Sequence, residues 1–334
     1  MGDVAMTVPV IRALKTQNPE IKITFISRPF FKPFFNTIPN VTFFEIDLLK
    51  RHKGFLGLLR LFFDLKKLQI DAFADLHNVL RSKIVRILFQ ISGKKVAFTD
   101  KGRKEKKALT RVKNKVFKPL KTMFERHIET FKKLGISIDL SKVSFPEKSV
   151  LSDKIKKLID FNEHQNLIGI APFAQYESKV YPQDLMQKVI DELAKNQNNT
   201  ILLFGAKNEV ERLNQFVNQN NKDFKNVIVV ASKLYFEEEL QLISNLKVLL
   251  SMDSGNAHIG AMLGIKVITL WGATHPYAGF SPFNEPVENC LVSNRNQFPL
   301  LPTSIYGNKK VAGYDNVMRS ISPEKVVFSV QSQF

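Results

Sequence analysis

One stretch of this chain has residue types and spacing suited to holding a diphosphate: Ser251-Met252-Asp253-Ser254-Gly255-Asn256-Ala257-His258. The apolar run Val248 to Leu250 reads as a buried strand feeding it, and the small residues that follow read as a helix. Ser254, Gly255 and Asn256 then fall at a helix N-terminus, where unpaired N–H groups and the positive end of the dipole attract an anion. An ordinary strand-to-helix turn capped by Asp or Ser would use the same residues for structure alone. His258, one turn later on the face of Ser254 and Gly255, tilts the stretch towards binding.

Three further places could serve the same chemistry. Lys179 lies between the strand Leu167 to Ala171 and a helix that Pro182 can open. A lysine there can reach a phosphate at the carboxyl edge of the sheet and offset the charge that grows on a departing diphosphate, although a lone loop lysine is usually just solvated. Trp271-Gly272-Ala273-Thr274-His275-Pro276 is a turn-rich loop at the edge where open α/β sheets take ligands, and His275 alone carries little weight. Asp3 follows a glycine at what would be the first strand-to-helix loop. Its carboxylate could take the proton from an attacking hydroxyl, or simply cap the helix marked by Val4, Val8 and Ile11, and spacing by itself favours the cap.

Other chemistries lack their residues. There is no G-x-G-x-x-G between a strand and a helix, no G-x-x-x-x-G-K-[ST], no G-x-S-x-G elbow, and no His/Cys/carboxylate set at metal-ligand spacing. Nicotinamide enzymes, P-loop NTPases, α/β-hydrolases and zinc hydrolases are therefore disfavoured, and neither a metal nor a bound cofactor is expected.

The elements that must position these residues alternate β-branched runs with amphipathic helical segments, so the fold class is α/β with parallel sheets. Strands are expected at Lys22 to Ile26, Val41 to Ile46, Ala72 to Leu76 and Lys95 to Phe98, then at Leu167 to Ala171, Thr200 to Phe204, Val227 to Val230, Val248 to Ser251 and Val267 to Trp271. Helices are expected at Val4 to Gln17, Phe55 to Leu68, Arg81 to Ile91 and Thr122 to Leu134, with a last one at Pro323 to Val330 that packs back across the domain interface. Met1-Gly2-Asp3 already reads as the loop that should follow a first strand. That strand is expected upstream of Met1, about seven apolar residues long.

A chain of 334 residues suits two domains, and the polar stretch Asp139 to Ser152 divides it into residues 1–145 and 146–334. With 44% hydrophobic and 24% charged residues it has the composition of a folded globular protein. No apolar run is long enough to span a bilayer, no secretion signal is evident, and the single Cys290 cannot form an internal disulfide, which together point to the cytoplasm. The net charge of +18 is unevenly placed. Residues 1–150 hold 31 Lys+Arg against 13 Asp+Glu, and the remainder holds 18 of each. Lysine-rich composition alone would load both halves alike, so the first half is expected to meet an anionic partner: nucleic acid, an acidic lipid surface or a phosphorylated substrate.

Taken together and in order, Gly2-Asp3-Val4 with Val8-Pro9, the Lys179 loop, Asp253-Ser254-Gly255 with His258, and Gly272, Thr274 and Pro276 resemble glycosyltransferase family 9, the lipopolysaccharide heptosyltransferases. The resemblance implies the GT-B fold: two Rossmann-like domains facing across a cleft, here with the first N-terminal strand missing, the donor on the C-terminal domain and the acceptor on the N-terminal one. It implies an inverting, metal-independent transfer of heptose from ADP-heptose to the lipopolysaccharide inner core. Asp3 is then the general base, Lys179, Ser254 and Gly255 hold the diphosphate, and Asp253 and His258 help hold the donor sugar and phosphate. Tyr181 stands where many family members have Trp. Arg81 and Lys83 suit an acceptor carboxylate or phosphate, and the basic segment 101–121 suits anionic lipid or, equally, a solvated loop. A cytoplasmic monomer peripheral to the inner face of the cytoplasmic membrane follows, without nucleic acid as partner. The alternatives are another GT-B nucleotide-sugar transferase, a nucleotide-sugar epimerase, and a non-catalytic basic nucleic-acid-binding protein.

Overall fold

Helix α1 (Gly2–Ala5) opens the chain and runs at Met6 into α2 (Thr7–Gln17), whose Val8, Val10, Ile11 and Leu14 are all buried. Arg12 and Lys15 of α2 also turn inward. Arg12 donates to the carbonyl and hydroxyl of Thr37, and Lys15 donates to the carbonyls of Pro19 and Ile21. The computed structural model describes residues 1–218 and 224–334. They divide into one unit of Met1, Asp3–Arg103 and Lys121–Ser144, and a second of Gly2, Lys104–Leu120 and Phe145–Phe334.

The first unit continues through β1 (Ile23–Ser27), β2 (Val41–Glu45), α3 (Gly54–Lys66), β3 (Ala72–Asp75), α4 (Leu80–Ile91) and β4 (Lys95–Phe98). All four strands lie where the period-2 pattern put them. They form two parallel pairs, β1 with β2 and β3 with β4, that do not hydrogen-bond to each other. Leu58, Leu61, Phe62 and Leu65 of α3 pack with Val85 and Phe89 of α4 over Phe44 and Phe73. The Phe62 and Phe89 rings meet edge-on at 4.9 Å.

Helix α5 (Arg103–Thr110) follows, then α6 (Met123–Lys132). Thr122 and Glu125 form a capping box at the start of α6, and Gly135, with φ +87°, lies just beyond its end. The basic segment that reads as a solvated loop is instead partly helical, and residues 104–120 pack on the second unit. Leu109 is fully buried, and the Lys106 ammonium lies 4.0 Å from the centre of the Phe280 ring. Lys115 donates to the carbonyls of Leu109 and Pro302, and Leu120 N–H donates to the carbonyl of Tyr277. Phe117 packs against His275 and Tyr277 with the Arg295 guanidinium over its ring at 3.4 Å.

In the second unit α7 (Asp153–Ile159) precedes β5 (Asn166–Ala171), α8 (Gln183–Ala194), β6 (Asn199–Leu203), α9 (Val210–Asn218), β7 (Val227–Val229) and α10 (Phe236–Ile243). Then come β8 (Val248–Met252), α11 (Gly255–Met262), β9 (Lys266–Trp271), β10 (Cys290–Val292) and α12 (Pro323–Gln331). The six strands form one parallel sheet ordered β10-β9-β8-β5-β6-β7, buried on both faces as parallel sheets must be. From β5 the chain winds outward to β6 and β7, then returns to lay β8 on the other side of β5. The reversal opens a crevice at the carboxyl ends of β5 and β8, where ligands of such sheets bind. Val326, Val327 and Val330 of the last helix, α12, are buried in the core of this unit, against α8.

At the opposite edge of the sheet, Glu285 accepts from Val267 N–H and Asn289 Nδ2, both at 2.9 Å, and burial pushes its pKa up from 4.5 to about 7. The folded state therefore holds this proton longer than the unfolded chain, and stability falls as pH rises from about 4.5 through 7. Glu285→Gln should raise stability at pH 8 by about 1–2 kcal/mol, allowing for the group's partial exposure, and change little near pH 4. Urea unfolding at the two pH values checks this, and an equal effect at both would remove the buried charge as its cause.

Candidate active site

Two loops meet at the crevice of the second sheet because their strands are neighbours: Ile170 pairs with Leu250 and Ala171 with Ser251. The loop after β5 carries Lys179 on a short 3-10 turn, Glu177–Lys179. The loop after β8 carries Asp253 and Ser254 into α11. Lys179 Nζ lies 2.9 Å from Asp253 Oδ2, with both side chains largely buried. Thr274, in the loop after β9, donates its hydroxyl to the same oxygen at 2.7 Å. One oxygen of Asp253 thus faces both Lys179 and Thr274 at the sheet edge.

Backbone packing keeps Lys179 in place. Ala273 N–H donates to the carbonyl of Ser178, and the Ser178 hydroxyl donates to the carbonyl of Gly307 at 2.6 Å. A Cβ on Gly307 would stand 2.5 Å from Lys179 Cδ, and φ there is +85°, so only glycine lets that loop pass so close to the lysine stem. Tyr181, two residues on, is a core anchor: it is buried and donates its hydroxyl to the carbonyl of Ile321 at 2.7 Å.

Ser254 precedes α11 in extended conformation, with its hydroxyl 3.1 Å from that of Ser251, and its side chain does not cap the helix. Ser254, Gly255 and Asn256 remain partly open to solvent. The first amides of α11 and the Lys179 ammonium are the donors that an anion at this edge would meet. His258 is buried one turn along the helix. His275 is buried too, accepts from Tyr277 N–H, and is held neutral by burial with a pKa down to about 4, so its role here is to shape the loop.

In the first unit Asp3 does not cap a helix through its side chain. It sits in the first turn of α1, exposed, with Oδ2 3.5 Å from His77 Nε2. That bond, reinforced by the charge of Lys101, pulls its pKa down to about 2 despite opposing desolvation. The loop that presents His77 is pinned. Asn78 N–H donates to Asp75 Oδ1 at 2.6 Å, Asn78 Nδ2 donates to Thr99, and Arg86 bonds both Asp75 and Asn78. Asn78 takes φ +45°, a conformation that asparagine tolerates better than most residues.

Around Asp3 lie groups that spacing did not single out. Lys101 has its pKa lowered, first by burial, and feels the charges of Asp3, Arg103, Asp75 and Lys83. His127, buried beside the backbone of Leu76, is pushed down to about 4 and stays neutral. Lys83 therefore belongs to the electrostatic neighbourhood of Asp3 through Lys101, whereas Arg81 is solvent-exposed on α4. Among the described residues no group of three or more His, Cys, Asp or Glu is placed to hold a metal ion, and no helix is long and apolar enough to cross a membrane.

Comparison with known proteins finds a match to the family model described as glycosyltransferase family 9 (heptosyltransferase) over residues 58–308. The lipopolysaccharide heptosyltransferase 3 of Escherichia coli is 24% identical over 279 residues, covering 82% of this chain and 81% of that protein. The lipopolysaccharide core heptosyltransferase OpsX of Haemophilus influenzae is 26% identical over 290 residues, covering 85% and 79%. Among solved structures, the E. coli heptosyltransferase WaaC with ADP superposes with a TM-score of 0.67 at 18% identity, covering 100% of this chain and 97% of that one.

Proposed function

Because the chain belongs to glycosyltransferase family 9, we propose that this glycosyltransferase moves a heptose from ADP-heptose to the inner core of lipopolysaccharide, with inversion and without a catalytic metal. The observation that carries this reading is the Lys179–Asp253–Thr274 cluster beside the uncapped start of α11, a cationic donor set at the ligand edge of a parallel sheet. The nucleotide and sugar are supported by the relatives: two are lipopolysaccharide heptosyltransferases, and the WaaC structure contains ADP.

In this mechanism the acceptor hydroxyl attacks the anomeric carbon from the face opposite the diphosphate. The new C–O bond forms as the bond to the phosphate oxygen breaks, and its electron pair leaves on ADP. Lys179 and the α11 amides meet that growing charge, and the hydroxyl proton goes to Asp3. Asp3 is ionised above pH of about 2, so it is ready as a base at neutral pH, and His77 fixes the direction of its carboxylate. Arg81, Lys83 and Lys101 are the cations available to acceptor phosphate or carboxylate.

A thermal-shift screen of ADP-, UDP- and GDP-sugars tests the donor class. ADP-heptose and ADP should raise the melting temperature by several degrees at saturation, since a ligand at 100 times its Kd adds about 2.7 kcal/mol. A larger rise with UDP- or GDP-sugars and none with ADP would favour a different nucleotide-sugar enzyme.

A further inference from the structure

Helices α3 and α4 carry apolar side chains that the core of the first unit does not use. On α3, Leu58, Leu61, Phe62 and Leu65 turn inward, while Phe55, Leu56 and Phe63 are 64%, 68% and 58% exposed. On α4, Leu80, Ile87 and Ile91 fall at i, i+7 and i+11 and so share one stripe, exposed by 76%, 49% and 78%. Val85 and Phe89 of the same helix are buried. The two helices pack against each other through the Phe62–Phe89 contact, so the exposed residues lie on neighbouring elements. Single exposed leucines are ordinary, but six large apolar residues on two packed helices make a surface that water alone does not explain.

The charge around this surface has one sign. Arg86 turns inward to Asp75, and residues 50–67 and 80–95 otherwise hold ten Lys and Arg against a single carboxylate, Asp64. That carboxylate is already taken, since Arg51 holds it through two bonds of 2.8 Å. A second copy of the chain meeting this face by two-fold symmetry would set the cations against each other, which opposes association. An anionic bilayer satisfies both features: phosphates meet the lysines and arginines, and the apolar side chains enter the boundary between headgroups and acyl chains.

We propose that the α3–α4 face docks this chain onto an anionic lipid bilayer. The inference deepens the proposed function, because a lipid-linked acceptor is presented at such a surface. It also places the contact on these helices instead of on segment 104–120, which packs on the second unit.

The test uses the full chain with sucrose-loaded vesicles of phosphatidylglycerol and phosphatidylcholine, and with vesicles of phosphatidylcholine alone. The parent should sediment with the anionic vesicles, bind the neutral ones weakly, and lose partitioning as salt rises, each cation near the surface being worth roughly five-fold. The double variants Leu56→Ser/Phe63→Ser and Ile87→Ser/Ile91→Ser should each lower partitioning by about ten-fold or more, with unchanged melting temperature and unchanged transfer to a lipid-free acceptor sugar. Binding of the variants at the parent level, or no binding by the parent, overturns the proposal. So does a parent dimer in light scattering that these variants dissociate. Loss of vesicle binding in the variants when the parent shows no sugar transfer at all would leave the surface standing and sink the transferase reading instead.

Discussion

Asp3→Asn should bind ADP within a few-fold of the parent and transfer sugar about 10²–10⁴-fold more slowly, the usual contribution of a positioned general base. The substitution keeps the side chain's size while removing both its ability to take a proton and the negative charge that faces His77 and Lys101. Asp3 caps no helix through its side chain, so a loss of this magnitude cannot be put down to lost folding. A melting temperature within a few degrees of the parent checks that point. The pH dependence separates Asp3 from its neighbours. With its pKa held at about 2, Asp3 gives no acid limb to kcat/KM between pH 4 and 8. In His77→Gln the largest cause of that depression is gone and the carboxylate returns towards 3.8. The acid limb should then move upward below pH 5, with a few-fold loss of kcat at pH 7 from lost orientation. Undiminished transfer by Asp3→Asn would require another base, and an unmoved profile in His77→Gln would deny the pairing any part in the reaction.

Lys179→Ala should weaken ADP binding by about 10- to 100-fold, the worth of a charge-assisted bond to phosphate of roughly 1.5–3 kcal/mol. It should also lower the rate, since the same charge meets the leaving diphosphate. A second effect follows from the free protein. Asp253 would keep Thr274 but lose its cation in a largely buried position, at a stability cost of about 2–4 kcal/mol. Isothermal calorimetry with ADP and urea unfolding read the two effects separately. Lys179→Arg distinguishes them further: it keeps the charge, but the bulkier head must fit beside Gly307, so stability should recover more fully than ADP affinity. Unchanged ADP binding in Lys179→Ala would remove this lysine from the donor site.

Most of the framework was legible from periodicity, because most strands are short β-branched or apolar runs and most of the longer helices show one apolar face. Residues 41–45, 95–98 and 227–229 illustrate how closely the runs mark the strands. What periodicity could not show are contacts between distant residues. The docking of 104–120 depends on Phe117 meeting His275, Tyr277 and Arg295, and a lysine-rich run with one phenylalanine looks like a solvated loop until those partners are in place. β10 is as short as β7, but Cys290-Leu291-Val292 has one β-branched residue where Val227-Ile228-Val229 has three, so no β-branched run marks it.

The candidate site was legible as a set of residues but less so as a circuit. Lys179, Asp253 and Thr274 stood out in three separate loops, and nothing in their spacing said that one carboxylate oxygen would bind the other two. Likewise nothing in the sequence marked His77 as the residue that faces Asp3 across 74 positions. Charge asymmetry was visible in composition, whereas the apolar surface on α3 and α4 needed burial to separate Phe55 and Phe63 from Phe62, since all three belong to one hydrophobic helix.

Product analysis by mass spectrometry tests the central proposal most directly, with the purified chain incubated with ADP-heptose and an inner-core acceptor. One heptose should be added per acceptor with an equal amount of ADP released, and the new linkage should have the anomeric configuration opposite to the donor's. ADP-heptose recovered as an epimer, or left unconsumed while another nucleotide sugar is transferred, would contradict it.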